Sequence, residues 1–500
     1  MLQGNALLYT VTLLTAMGFM LIGYDNGVMG GIINEKPFQT TFKHPSDSLL
    51  GTIVAIYEIG CCAGALVCAA VGEGLGRRKS IMVGVVLMLA GTAFQAAVSS
   101  SGPMIAARVV SGLGMGFLNS TMPVLQSEVS PKAARGRFVC FQLSLLNLGI
   151  MVAYWVGYGF SFSSGAKAWR IPVALQAIFQ VPILVLVLIV PESPRWLASH
   201  NRPDESLQVI ARLHGKPVTD TDVLMQHKEI QDAVMLEASI GSGSWKELVT
   251  GRDDDIKSRK RLLIACSIQF FQQIGGINAL IYYAGNFLAL VSSSPALLAG
   301  GLFTWFFVAS FIPWFLIDSL GRRKLLLSCI ALMSLCFVVE TVSVWKVQTA
   351  KSKVAGGVAT AFLFLFMGLF TTGFQAVVWV YPSEILPLKL RAKGSAISTA
   401  CNWITNYAIV QMTPPALTAL GYKFYIIFAI INASFLPPIY FFYPETKGLS
   451  LEEVDLLFSR HHAQTFDQAA EDAKATTNHF EYGNGAAGVD DIEDKKHAIA

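Results

Sequence analysis

The chain has 500 residues, 53% of them hydrophobic and only 14% charged, with a mean hydropathy of +0.52. Soluble domains carry about 25% charged residues, so this composition excludes a soluble fold and reads as an integral membrane protein. The net charge of +4 is too small to point to nucleic acid as a partner.

Twelve long apolar stretches follow one another, at residues 7–33, 49–71, 81–98, 103–125, 138–160, 171–190, 262–290, 297–317, 325–345, 354–381, 395–417 and 424–443. About 20 apolar residues span a bilayer as a helix, and the uniform runs lack the alternation of a barrel strand. The expected fold is an all-α membrane bundle of twelve transmembrane helices. The expected division is a six-helix lobe (1–190), a cytoplasmic helical loop (191–261), a second six-helix lobe (262–443) and a cytoplasmic tail (444–500), disordered after about 464. The N-terminus lacks a basic region before its apolar run, so the first stretch reads as a retained span. All eight cysteines fall inside predicted spans and imply neither a disulfide framework nor a metal site.

The first span contains Gly23-Tyr24-Asp25-Asn26-Gly27-Val28. A carboxylate there costs about 2.5–3.5 kcal/mol on insertion scales and demands a partner. Arg108, the only basic residue inside the fourth span, is the best candidate. The pair reads either as a two-state element that a proton can break or as a static ion pair. Glu58, midway through the second span, belongs to the same relay or caps a hydrogen-bond network.

Short loops then carry matched motifs. Glu73-Gly-Leu-Gly76-Arg77-Arg78-Lys79 has its counterpart in Asp318-Ser-Leu-Gly321-Arg322-Arg323-Lys324. Glu128-Val-Ser-Pro131 with Arg135 is matched by Glu384-Ile-Leu-Pro387 with Arg391, proline three and arginine seven residues after the acid. Matched motifs in two half-chains signal parallel repeats that rock against each other. Their acids and bases, with Glu192, Arg195 and Glu445, read as a gate of ion pairs at one membrane face. By the positive-inside rule that face, and both termini, are cytoplasmic.

Pro191-Glu192-Ser193-Pro194-Arg195-Trp196 opens the long internal loop. Asp204 is expected to cap a helix ending at Gly215, with Leu207, Ile210 and Leu213 on one face. Ser244-Trp245-Lys246-Glu247 reads as a capping box opening another.

The seventh span holds Gln272-Gln273-Ile-Gly275-Gly276-Ile-Asn278-Ala-Leu-Ile-Tyr282-Tyr283. On a straight helix Gln272, Gln273, Asn278 and Tyr282 spread over too wide an arc. A loosened turn at the glycine pair can aim them into one cavity, as interrupted membrane helices do around a solute. Amides both donate and accept without charge, which suits a neutral polyhydroxylated solute. The competing reading is polar glue between helices.

Together these residues resemble the sugar porter family of the major facilitator superfamily across residues 23–458. The features are the two Gly-Arg-Arg loops, Pro-Glu-Ser-Pro-Arg-Trp, Gln-Gln with Asn278, Trp379-x-Tyr381-Pro-x-Glu384, Asn402-Trp403 with Asn406, and Pro444-Glu-Thr-Lys-Gly. Gly-Tyr-Asp-x-Gly-Val-Met and Gln126-Ser-Glu128 are similar to the fungal sugar and polyol branch that includes the yeast glycerol/proton symporter. The resemblance implies that Gln272, Gln273, Asn278, Trp379 and Asn402 contact the solute, that Trp403 and Asn406 line its site, and that Asp25 and Arg108 couple it to a proton. Three positions depart from the pattern. Leu143 replaces a glutamine and leaves only Gln142 beside it, Gln375-Ala376 replaces Gly-Pro, and Leu125 replaces an aromatic. The lost hydroxyl contact favours a smaller solute, such as glycerol or a pentose, over glucose.

The function expected is import of a neutral sugar or polyol by alternating access with proton symport, at the plasma membrane and as a monomer. A uniporter and a transport-dead sugar sensor are the alternatives. No cofactor or metal is expected, and no nucleophile–base constellation suggests an enzyme.

Overall fold

In the computed structural model the described residues are 2–130, 135–240, 257–387 and 390–448, with Val454 and Phe458. The described secondary structure is helical. Every backbone polar group in a lipid-spanning segment needs an internal partner, and a helix supplies it within the segment. Five of the first six spans are single helices, of which Asn5–Ile32, Asp47–Leu75, Arg77–Ala97 and Ser101–Val129 closely match the apolar stretches. The fifth is Arg135–Ser161, and the sixth breaks into Lys167–Ala174 and Ala177–Ile189.

In the second half the ninth, eleventh and twelfth spans are continuous: Arg322–Ala350, Arg391–Leu420 and Lys423–Phe442. The eighth divides into Pro295–Ala309 and Pro313–Leu320, where proline removes a backbone donor. The tenth runs as Lys353–Leu369, a π-helical turn Phe370–Gln375, and Ala376–Ile385. Such turns commonly mark functional sites.

The seventh span breaks where the glycine pair suggested. Ser258–Ile274 ends at Gly275, and Ile277–Ala289 starts after Gly276, whose φ of +99° lies in the left-handed region. A Cβ at Gly276 would meet the Phe428 ring at 2.9 Å, so both backbone and space call for glycine. Asn432 of the twelfth span donates to the Gly275 carbonyl at 3.1 Å, supplying a partner at the break.

Small residues bring the helices of the first half together. Cβ atoms added at Gly60, Gly64, Gly112 or Gly116 would fall within 2.6 Å of backbone across the second–fourth span contact. Between the halves, the second span packs along the eleventh and the fifth along the eighth. The Gln411 amide donates to the Ser48 carbonyl at 3.0 Å and to Thr52 at 3.1 Å. Trp155 donates to Thr304 at 2.9 Å, and Tyr154 to the Ile281 carbonyl at 2.5 Å.

The internal loop forms helices Pro194–Ser199, Pro203–His214 and Thr221–Ile240. Pro203–His214 ends at Gly215 as expected, but its N-cap is Arg202. Asp204 sits in the first turn, where its charge meets the helix dipole instead of capping. Ile210, Ala211 and Val223 form its small core, with Leu207 and Ile230 packed against them. Leu213 is half-buried and stands outside that core. The plate docks on the first half: the Gly4 amide donates to the Arg212 carbonyl at 2.7 Å, and the Trp196 indole to the Glu73 carbonyl at 2.6 Å. The expected capping box at Ser244 and the tail after 464 lie outside the described residues.

Candidate functional site

Five amides gather around the seventh-span break within one lobe. Asn278 donates to the Gln273 carbonyl oxygen at 2.5 Å. Asn402, from the eleventh span, donates to Gln272 at 3.0 Å and to Gln269 at 2.7 Å. All are at least nine-tenths buried. Trp403 and Asn406 are buried beside them, with the Trp403 indole N–H and the Asn406 carbonyl oxygen lacking partners among the described residues. Trp379 follows the π-helical turn and is half-buried. Gln142 comes from the fifth span, buried, its amide nitrogen without a partner among the described residues.

Two of the departures from the family pattern turn out to be neighbours. Leu143 and Gln375-Ala376 line one small void with Cys140, Ser310, Pro313 and Thr371. At its edge Gln375 and Asn147 exchange reciprocal amide bonds of 2.8 and 2.9 Å across the lobes. Sequence reading missed Asn147 and Gln269. Their only signal was a polar residue on an apolar face.

The charged cluster lies in the first lobe. Arg108 reaches Asp25 at 3.3 Å, donates to the Val54 carbonyl at 3.0 Å and stacks 4.4 Å above the Tyr57 ring. Asp25, Arg108 and Glu58 have no solvent exposure. The ion pair expected from sequence is therefore formed. Glu58 joins the cluster to the amide site, because its Oε1 lies 2.5 Å from the Tyr282 hydroxyl on the seventh span. The same hydroxyl lies 3.0 Å from Asn26 Oδ1.

A cavity of about 490 Å³ opens between the lobes on the far side of this cluster from the Gly-Arg-Arg loops. Asn34, Glu35, Tyr154, Tyr158 and Asn286 line it. Burial pushes the Glu35 carboxyl above its usual range.

At the opposite, basic end the two halves build the same network. Arg77 forks onto Glu128 at 2.8 and 3.0 Å, and Arg322 reaches Glu384 at 3.0 Å. Glu192 accepts from the Arg77 and Arg78 backbone N–H groups at 2.9 and 3.1 Å. Glu445 accepts from those of Arg322 and Arg323 at 2.8 and 3.0 Å. Each carboxylate thus caps a helix N-terminus from a distant segment, where both the free donors and the dipole favour an anion. Gly76 and Gly321, at φ +84° and +86°, let the carboxylates approach. Arg78 donates to the Val187 carbonyl at 2.9 Å and Arg323 to the Tyr440 carbonyl at 2.5 Å.

These ion pairs lie inside each lobe. Arg391 turns to the Leu386 carbonyl at 3.3 Å, and Arg195 is half-buried in its plate helix. The Glu73 side chain is exposed, and its carbonyl is what enters the network. The side chains of Arg135 and Asp318 lie outside the described set.

Comparison with known proteins places this geometry. The family described as Sugar (and other) transporter matches residues 11–458. The chain is 36% identical over 463 residues to the MFS-type transporter oryC of Aspergillus oryzae, covering 91% of this chain and 86% of that protein. It is 35% identical to the sugar transporter STL1 of Saccharomyces cerevisiae, covering 92% and 82%. The solved inward-open structure of the xylose transporter XylE from E. coli superposes with a TM-score of 0.75 at 23% identity, covering 90% of this chain and all of that one.

Proposed function

The chain belongs to the sugar transporter family of the major facilitator superfamily, and we propose that it imports a neutral sugar or polyol by alternating access with a proton. The carrying observation is the adjacency of two unlike sites. Uncharged amides meet at the seventh-span break, and a buried acid–base cluster touches the same span through Tyr282. Amides select hydroxyls without demanding a counter-charge. Gln272, Gln273, Asn278, Asn402 and Trp379 hold the solute, with Tyr282, Trp403, Asn406 and Gln142 around it. Asp25 and Arg108 form the coupling pair. Closure replaces bonds among the amides by bonds to solute, so the mutual satisfaction of Asn402 and Gln272 suits a resting site. Leu143 and the Asn147–Gln375 bridge narrow the lobe interface, which favours glycerol or a pentose over a hexose.

The paired networks at the basic end bias the lobes between states, with that end cytoplasmic and the plasma membrane the expected location. A facilitative uniporter is the second reading. The three anchors of Arg108, on Asp25, the Val54 carbonyl and the Tyr57 ring, suit a static pair. The test is accumulation of labelled glycerol, xylose and glucose in proteoliposomes with an imposed inward proton gradient. Accumulation above equilibrium supports symport. Equilibration without accumulation overturns it in favour of uniport, and no uptake of any of the three overturns the solute class.

A further inference from the structure

We propose that Glu58 is a proton-carrying latch between the lobes, closed onto Tyr282 when its carboxyl is protonated and released when it is ionised. The inference rests on the alternating-access reading above and assigns a role to a residue that reading leaves unused.

Hydrogen counting carries it first. The Tyr282 oxygen has Glu58 Oε1 at 2.5 Å on one side and Asn26 Oδ1 at 3.0 Å on the other. A phenol carries one hydrogen and cannot donate to both. A second hydrogen on Glu58 completes the chain: the carboxyl donates to the phenol oxygen, and the phenol donates to Asn26. One unbroken line of hydrogen bonds then ties the second span to the seventh and the seventh to the first.

Charge counting points the same way. Asp25 on the first span, Arg108 on the fourth, Tyr57 and Cys61 on Glu58's own helix, Tyr282 on the seventh and the uncharged Asn406 on the eleventh surround the carboxyl. Arg108 is already committed to Asp25 at 3.3 Å. Two ionised acids on one arginine would leave a net negative charge with no solvent contact, which is costly. Glu58 Oε2 makes no well-formed hydrogen bond among the described residues, although the Asn406 side chain faces the carboxyl, an arrangement a neutral carboxyl tolerates better than a carboxylate. Turning the Asn26 amide over would meet the hydrogen count without a proton, but it would leave that charge unbalanced.

The consequence is directional. Tyr282 sits on Ile277–Ala289, the half of the seventh span on the cavity side of the break. Closing this side requires the proton to be aboard. Losing it toward the basic end leaves a buried carboxylate that is relieved only when the cavity side reopens and water reaches it. Proton release then drives the empty carrier back.

The test places a nitroxide pair on the cavity side, at exposed positions of opposite lobes, as Ser164→Cys and Ser293→Cys. Distances between labels are read across pH in lipid nanodiscs without solute or gradient. The eight native cysteines lie within the helices, and the unsubstituted protein serves as the labelling blank. The expected result is a closed population in acid that gives way to an open one as pH rises, the ratio changing about tenfold per pH unit for one linked proton. Glu58→Gln, a permanently neutral donor, should stay closed throughout. Glu340→Gln, at a buried acid of the ninth span, should titrate like the wild type. Tyr282→Phe, which keeps the acid and removes the phenol, should be open even in acid, and it decides the matter if Glu58→Gln fails to fold. A wild type without pH response, a Glu58→Gln protein that titrates normally, or a Tyr282→Phe protein closed in acid overturns the latch. Because no solute is present, failure of uphill uptake would sink the symport reading while these distances judge the latch separately.

Discussion

The two lobes are nearly alike at the basic end and unlike at the centre. At the end, Gly76, Arg77, Glu128 and Glu192 repeat as Gly321, Arg322, Glu384 and Glu445, down to which backbone N–H groups each acid caps. At the centre, the first lobe buries Asp25, Glu58 and Arg108, while the second offers Gln269, Gln272, Gln273, Asn278 and Asn402. Symmetry survives where both lobes have the same task, fixing the third and ninth spans to their neighbours. It is lost at the centre, where the proposed function divides the tasks, charge on one side and hydroxyl recognition on the other.

The sharpest break in that division is Asp25→Asn. It should abolish uphill accumulation under a proton gradient while counterflow of preloaded solute persists. An amide at position 25 keeps the shape and still accepts a bond from Arg108 but cannot titrate, so the pair no longer links proton movement to solute movement. Accumulation equal to wild type in proteoliposomes would show that the Asp25–Arg108 pair is structural and that coupling runs through another group, Glu58 first.

The end symmetry predicts equal penalties. Arg77→Ala and Arg322→Ala should each lower turnover about tenfold with little change in solute affinity, since a charge-assisted bond is worth about 1.5–3 kcal/mol. Stopped-flow or counterflow rates on the pair check it. A variant that loses affinity at normal turnover would contradict a bias on states.

On the amide side, Gln273→Ala and Asn278→Ala should each weaken apparent affinity about two- to tenfold at unchanged membrane abundance, from the loss of a directed bond worth about 0.5–1.5 kcal/mol. Unchanged affinity in both, read from concentration-dependent uptake, would return these residues to the role of helix glue.

The smallest effect is expected at Asn147 and Gln375, where the amides satisfy each other across the lobes. Asn147→Leu strands a buried amide, and Gln375→Leu added to it should recover most of the lost thermal stability. Additive losses would mean that the pair is not coupled.

Much of this was legible in the chain. The spans follow from apolar length, and the break of the seventh from Gly275-Gly276, because only glycine meets Phe428 so closely at positive φ. The matched loops announced their partners by spacing alone. What the sequence withheld is what depends on helix rotation and depth. Glu192 and Glu445 read as gate acids for ion pairs, yet each closes on the backbone N–H groups of a helix start more than a hundred residues away. Glu58 stayed ambiguous because its partner Tyr282 belongs to the other lobe. Asn147 and Gln269 look like isolated polar residues until the crossing helices bring Gln375 and Asn402 to them. Asp204 misled in the other direction: Pro203 already starts the helix, so the acid falls within its first turn.

The Asn432 bond to the Gly275 carbonyl has a mechanical meaning. An unsupported gap in a helix would invite water or close up into a continuous rod. Here the gap is propped from behind by the twelfth span, a pivot between two levers, the second of which bends again at Tyr283 (φ −129°, ψ 24°). The lever bearing Tyr282 can swing while the one bearing Gln272 and Gln273 keeps its place in the lobe. Asn432→Leu should stiffen or jam that pivot, leaving a carrier that still binds its cargo but no longer turns over.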